Sequence, residues 1–456
     1  MNHPHPGSSG TTQLQRRRLL KLAGAAGLSG LGLGALSHLT AAAQSATDYK
    51  ALVYLFMYGG NDGNNLLVPL EPGLYAQYQS ARSNLALPRE TLLPIAPGNS
   101  AGLQYGLHPA MGGIQSLFGQ GKAALLANIG TLAVPTSRTQ WNARSVPLPD
   151  NLFSHSDQQA QWQSAIVDDA PRSGWGGRMM ERLLATDAAN RGYGVLSMAG
   201  GNLWENGDRS LAAYKVSASG NFGFDFYDPV GRDPVSTAIT ETLAERRDHL
   251  LEQAWNDVVG RSIENQRVLT QALESSTLAT VFPDTNLGSQ LRMVARLVAA
   301  RSRLGLQRQC FFCSIGGFDT HGDDQLQRQN ELLGEISNAV AAFYAATVEL
   351  GMQNNVTLFS GSDFGRTFQS NGQGSDHAWG SHHFVVGGAV RGGQLVGRFP
   401  DLTVNGPDDA GDGKWIPGVS VDQLGATLGR WFGAGSALNE VFPRLVNFDA
   451  DLGFMT

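Results

Sequence analysis

Cysteine, charge and basic clustering are all scarce in this chain, and each scarcity closes off a class of protein. Two of its 456 residues are cysteine, Cys310 and Cys313. Three residues apart in a strand-like run, they face opposite sides, so no local disulfide is expected. A zinc ribbon needs a second pair, and there is none. The two read as buried structural thiols. Charged residues make up 16% of the chain and hydrophobic ones 42%, which indicates a globular core and not disorder. The formal net charge is −6, and no basic stripe follows the first 21 residues, so nucleic acid is not an expected partner. There is no Gly-x-Ser-x-Gly elbow, no P-loop and no dinucleotide fingerprint after a strand.

Long apolar stretches are also missing beyond the N-terminus, so no membrane span is expected there. Residues 1–46 are set apart. Arg16-Arg17-Arg18-Leu19-Leu20-Lys21 fits the twin-arginine pattern, a Gly- and Ala-rich apolar stretch follows, and Ala41 and Ala43 make a cleavage-type site. The expectation is a leader read by the twin-arginine export machinery, which gives a periplasmic or extracellular protein exported already folded. Its removal takes four basic residues and no acid, so the net charge falls to −10.

What is abundant is glycine, 57 residues, many of them just past apolar runs. "ALVYLFMY" (51–58) leads into Gly59-Gly60-Asn61-Asp62. "CFFCSI" (310–315) leads into Gly316-Gly317-Phe318-Asp319-Thr320-His321. "NVTLFS" (355–360) leads into Gly361-Ser362-Asp363. Near-continuous apolar runs of this length predict strands buried on both faces, as in a parallel sheet. "GKAALLANIG" (121–130) and "HHFVVGGAV" (382–390) read as further core strands. Amphipathic patterns over 240–273, 287–305 and 324–351 predict helices between strands, and "SVDQLGATLGRWFG" (420–433) predicts a short closing one. The fold class is therefore α/β, a mostly parallel central sheet sandwiched by helices. Residues 47–456 are expected to form a single domain, with an insertion or cap near 195–235.

In such a sheet the loops at the carboxyl ends of the strands form the ligand crevice. Asp62, Asp319 and Asp363 each follow a strand closely, at one edge. Three acids converging there repel one another unless a cation lies between them. Of the seven histidines beyond the leader, His321, His377, His382 and His383 fall within 63 residues. With Asp319, Asp363 and Asp376 they offer the mixed oxygen and nitrogen ligands that a divalent metal accepts: zinc, manganese or calcium. Asp323 and Asp324 read as helix starters, which favour the N-terminus by charge.

At this point the chain resembles a known family. The leader, "YGGNDGNNLLVP", "LFSHSDQQAQWQSA", "SGWGGR", "GGFDTH", "SDFGRT" and "DHAWGSHHFVVGGAVRGG" look like the exported domain-of-unknown-function 1501 family, over nearly all of the chain beyond the leader. That family in turn looks like a distant branch of the alkaline phosphatase and sulfatase superfamily. The resemblance implies metal ligands at Asp62, Asp319, His321, Asp363 and His377, with Ser154 as nucleophile at a helix start. It also implies Arg366 as a clamp on non-bridging oxygens. The chain departs from the pattern at Phe364, where a histidine would stand, which leaves His155, His382 or His383 as substitutes. Asp363 itself replaces the glutamate usual in the motif.

The resemblance implies an exported metal-dependent hydrolase of phosphate or sulfate esters, acting on a small-molecule or polymer substrate. Each residue also has a plainer role open to it. Ser154 can be an N-cap with Asp157 three residues on, and Arg366 can be a structural ion pair. The alternative for the whole protein is a non-catalytic exported binding or scaffold protein that retains the fold.

Overall fold

The computed structural model describes residues 48–184, 192–209, 211–219, 227–228, 233–274 and 276–456. The expected leader lies outside them. Lys50–Thr456 clusters as one unit. Its main sheet contains strands β1 (Lys50–Tyr58), β2 (Ala123–Gly130), β3 (Val195–Ser197), β4 (Tyr214–Lys215), β5 (Arg308–Gly316), β6 (Val356–Ser362), β7 (Ser381–Gly387), β8 (Leu395–Val396) and β9 (Val419–Ser420). The order across the sheet is β8-β2-β7-β6-β1-β5-β3-β4, with β9 also paired to β2. β1 is parallel to both β5 and β6, and β3 is parallel to β5. β7 runs against both of its neighbours, β2 and β6. The sheet is thus mostly parallel, with one reversed strand near its middle.

Burial on both faces explains the unbroken apolar runs. Leu52, Tyr54 and Phe56 join a core with Trp175, Met179, Trp204, Phe312, Phe359 and Phe432. The alternating residues Val53, Leu55 and Met57 are equally buried. Each such side chain removed from water contributes about 1.5–3 kcal/mol. Cys310 and Cys313 are both buried and free, and burial raises both thiols. The helix Asn286–Ala300 is tied to β5 by Gln290, which donates to the Ser314 carbonyl (2.9 Å) and accepts from its N–H (2.9 Å).

Two expectations need correction. The pattern over 240–273 is two helices, Pro234–Ala244 and Leu250–Leu273. The charged run Glu245–His249 breaks it, because the His249 ring caps the second helix by accepting from Leu251 N–H. The stretch 195–235 is not wholly an insertion. Val195–Ser197 pairs with β5, and Trp204 and Glu205 are completely buried. Residues 210, 220–226 and 229–232 of that stretch lie outside the described residues. No helix among the described residues is long and apolar enough to cross a membrane.

Candidate metal centre at the sheet edge

Register brings the loops together. Tyr58 is level with Gly316, and Met57 with Ser362, so Gly59, Gly317 and Asp363 leave the sheet side by side. Because β7 is antiparallel to β6, the segment before it, with Asp376 and His377, arrives at the same edge. Helix α1 (His155–Ser164) presents its first residue there. Glycine is required where these loops meet. Gly59 has φ +112, and a Cβ on it would fall on the backbone of Phe318 and Asp319. Gly60 has φ +83, and a Cβ would meet the Phe364 ring at 2.5 Å.

Asp319 Oδ1 is the focus of three imidazoles. His155 Nε2 lies 3.4 Å from it, His321 Nε2 3.1 Å and His377 Nε2 3.4 Å. His321 Nε2 and His377 Nε2 are 2.9 Å apart. Phe364 walls the cluster, its ring centroid 4.8 Å from that of His155 and 4.6 Å from that of His377.

The far side of each ring fixes its tautomer. His155 Nδ1 meets Asp363 Oδ2 at 2.6 Å, His321 Nδ1 meets Asp376 Oδ1 at 3.0 Å, and His377 Nδ1 meets the Phe153 carbonyl at 2.8 Å. All three partners are acceptors, so Nδ1 carries the proton in each neutral ring and the Nε2 lone pairs converge. Lone pairs 2.9 Å apart repel unless a cation or proton lies between them. His155 Nε2 and Asp363 Oδ1 are buried without any hydrogen bond. His155 Nε2, His377 Nε2 and an Asp319 carboxylate oxygen lie within 4.8 Å of one another and form a donor set that suits a zinc-type ion, while the third nitrogen, His321 Nε2, accepts an N–H from Arg366 at 3.2 Å. Calcium, which prefers oxygen ligands throughout, suits it less.

The electrostatics follow from the same contacts. The hydrogen bond to Asp363 raises the His155 pKa above the usual histidine value, although burial opposes it. Burial lowers that of His377, helped by the charges of Arg366, His155 and His321. Burial pushes the Asp319 carboxyl up, but the Arg366 hydrogen bond and charge outweigh it and hold the group at about 2.

The expected residues divide. Asp319, His321 and His377 come together, while Asp62 does not join them. It is buried, pairs with the buried Arg82, accepts from Gln325 Nε2 (2.7 Å) and caps Asn64 N–H (3.1 Å). Asp363 stands behind His155 instead of among the converging nitrogens, and its Oδ2 also accepts from Gly59 N–H and Gln159 Nε2. Arg366 has no N–H left for a clamp. Its five go to Gly60 O, Gly59 O, Ser375 O, Asp319 Oδ1 and His321 Nε2. Ser154 precedes α1, but its hydroxyl donates to Asp157 Oδ2 (2.5 Å) and caps no N–H.

Among the substitutes for the missing histidine, His155 takes the place beside Phe364. His382 and His383 are buried elsewhere: His382 Nδ1 accepts from Asn128 N–H, and His383 packs on Trp162. Burial lowers each to about 3. The orienting role of Asp363 had no signal in spacing alone, since its partner comes from 208 residues away.

The fold and site thus define an α/β protein with a three-histidine, one-carboxylate cluster at the carboxyl edge of its sheet. A family model described as "Protein of unknown function (DUF1501)" matches residues 49–412, and the chain belongs to that family. No curated protein matches its sequence. Among solved structures it is similar to the lipoteichoic acid synthase of Listeria monocytogenes (7% identity, 77% of this chain and 69% of that one, TM-score 0.30). It is also similar to a sulfatase of a Pseudoalteromonas species (9% identity, 91% and 73%, TM-score 0.32). Likenesses this loose carry no argument about the chemistry of this chain.

Proposed function

We propose that the protein is an exported, metal-dependent hydrolase of phosphate or sulfate esters, related in fold to the alkaline phosphatase and sulfatase superfamily. One observation carries the metal reading: three imidazoles, each with its Nδ1 proton committed to a fixed acceptor, turn unprotonated nitrogens toward one carboxylate oxygen. In this reading His155, His377 and Asp319 hold a divalent ion, and His321 joins them where its Nε2 gives up the Arg366 N–H for the ion. Such an ion supplies Lewis acidity, polarising an ester oxygen and making a water or hydroxyl more acidic. The chain's own groups do the rest. Asp363, Asp376 and the Phe153 carbonyl keep the rings aimed, and Phe364 excludes water from one side. Ser154, one residue before His155, supplies the hydroxyl, with its proton directed to Asp157. The ester class comes from the motif resemblance, not from the geometry.

A second reading is a metal-holding binding protein without turnover. The saturation of Arg366 favours it, because no guanidinium N–H is free to grip an anionic substrate.

The test is metal content together with turnover of aryl phosphate and aryl sulfate esters by the protein purified without chelator. Bound metal with turnover that Ser154→Ala abolishes supports the hydrolase. Bound metal without turnover selects the binding protein. A protein that stays metal-free after supplementation sinks both.

A further inference from the structure

We infer that the protein forms a two-fold dimer through the free half of the helix Leu250–Leu273, where Leu250, Leu251, Trp255 and Val258 pack against the same residues of a second copy. The inference is independent of the metal reading.

One seam runs the length of this helix at residues 251, 255, 258, 262, 265, 269 and 272, the alternating four-and-three spacing of a face that packs on another helix. Its two halves differ. Leu269 and Ala272 are buried within the chain. Leu251 is 72% exposed, Trp255 69% and Val258 53%, with Leu250 beside them at 81%. The other seven tryptophans of the chain are buried or half-buried.

The preceding helix, Pro234–Ala244, lies on the other side. Asn256 Nδ2 donates to the Thr242 and Glu245 carbonyls (3.5 and 3.3 Å), and Gln253 Oε1 accepts from Arg247 N–H (2.9 Å). On a helix of about 3.6 residues per turn, positions 253 and 256 point about 100° or more away from the seam. The contacts that fix the hairpin therefore leave the seam uncovered.

Area and charge choose the occupant. The four exposed side chains offer on the order of 500 Å² of apolar surface, a tryptophan alone having about 150–250 Å². A standard interface buries about 800 Å² per partner, and in homodimers about 65% of that is apolar, so the patch matches one partner's share. A lipid surface fits less well, because a helix that lies on one is rich in basic residues on its polar face. Here Glu252, Asp257 and Glu264 stand against Arg261 and Arg267, and the helix has no lysine. Rim charges of both signs suit a second copy of the same surface. With the two-fold axis crossing the seam between Leu251 and Trp255, each tryptophan lies on the partner's Leu251, and every contact is made twice. The groove at the start of the helix, about 560 Å³ and lined in part by Leu251 and Trp255, has room for the partner's Leu250.

The experiment is sedimentation equilibrium of the purified protein at micromolar concentration, wild type beside Trp255→Glu. Wild type is expected to be a dimer. The substitution should raise its dissociation constant at least about 30-fold, the size of a hot-spot loss, with cooperative melting unchanged. A wild type that stays monomeric overturns the inference, and one that instead cosediments with phosphatidylcholine vesicles overturns it in favour of a lipid surface. A dimer that persists in both Trp255→Glu and Leu251→Glu lies on another face and overturns it as well. If Trp255→Glu does not fold, Leu251→Glu and the wild-type mass still decide. None of these outcomes bears on the metal reading, which metal content tests separately.

Discussion

Asp62 and Asp319 are near twins in sequence, each an acid on a glycine-led loop after a buried strand, yet they end in opposite environments. Asp62 is enclosed: a buried arginine, two side-chain amides and a backbone N–H fill its neighbourhood. Asp319 also meets a buried arginine, but three imidazole nitrogens turn toward it and none of them donates from Nε2 in its neutral form. An acid whose surroundings all donate protons is a structural fastener. One facing lone pairs needs a further cation. Edge position alone does not make a ligand; the direction in which the neighbours donate does.

The contrast can be broken at either acid. Replacing Asp319 and His321 together by alanine is expected to remove bound metal, with a loss exceeding the roughly hundredfold that outer-shell changes cost. Elemental analysis beside wild type checks this, and retained metal would place the ion elsewhere. Arg82→Met attacks the enclosed acid instead. It leaves a buried carboxylate unpaired and should destabilise the fold by about 3–5 kcal/mol, as chemical denaturation would measure. Because Asp62 is assigned no ligand role, the metal content of the folded fraction should not change.

A finer probe is Asp363→Asn, which weakens the hold on His155. Metal affinity should drop by about 10–100-fold. The pH dependence carries a sign as well. The hydrogen bond to Asp363 raises the His155 pKa, so protons compete with metal at that ring from a pH above the ordinary histidine range. Removing the carboxylate lowers that pKa, so the His155 ring of the metal-free protein, followed by NMR, should titrate at a lower pH. An unmoved midpoint would mean that another group sets its proton affinity.

The smallest effect lies away from the edge, at Glu205. Burial raises its carboxyl to about 8, against hydrogen bonds from Asn202 and Ser197, and its Oε1 has no partner. The raised pKa means that its protonated form belongs to the fold. Its contribution is complete below the unfolded value of 4.5 and is lost as pH rises toward 8. Glu205→Gln should therefore melt a few degrees higher than wild type near pH 8, and the gain should vanish near pH 4. Equal melting at both values would show the carboxyl to be solvated.

Much of the fold was legible because apolar period and burial are linked directly. Unbroken runs such as 51–58 have nowhere to go but a sheet covered on both faces, and the helix pattern over 324–351 appears as Gln325–Glu349. Less legible was Val195–Ser197: three residues are too few for a period, and the surrounding Gly, Asn and aromatic content reads as surface. The long pattern at 240–273 misled in the other direction, since a charged run on a helix face looks the same as a charged run that ends a helix.

The site divides along similar lines. Sequence alone determined that glycine-led loops with Asp62, Asp319 and Asp363 leave one edge of a parallel sheet, since each of those facts is local to a strand and the turn after it. Only tertiary structure decided which acid is closed and which is open. Arg82, Gln325 and Gly59 come to Asp62 and Asp363 from 20, 263 and 304 residues away. The reversal of β7 delivers His377, and the start of α1 delivers His155 to fill the place that Phe364 left without a nitrogen. A carboxylate's role is set by the donors and lone pairs that surround it, and here those come from parts of the chain that no local pattern connects.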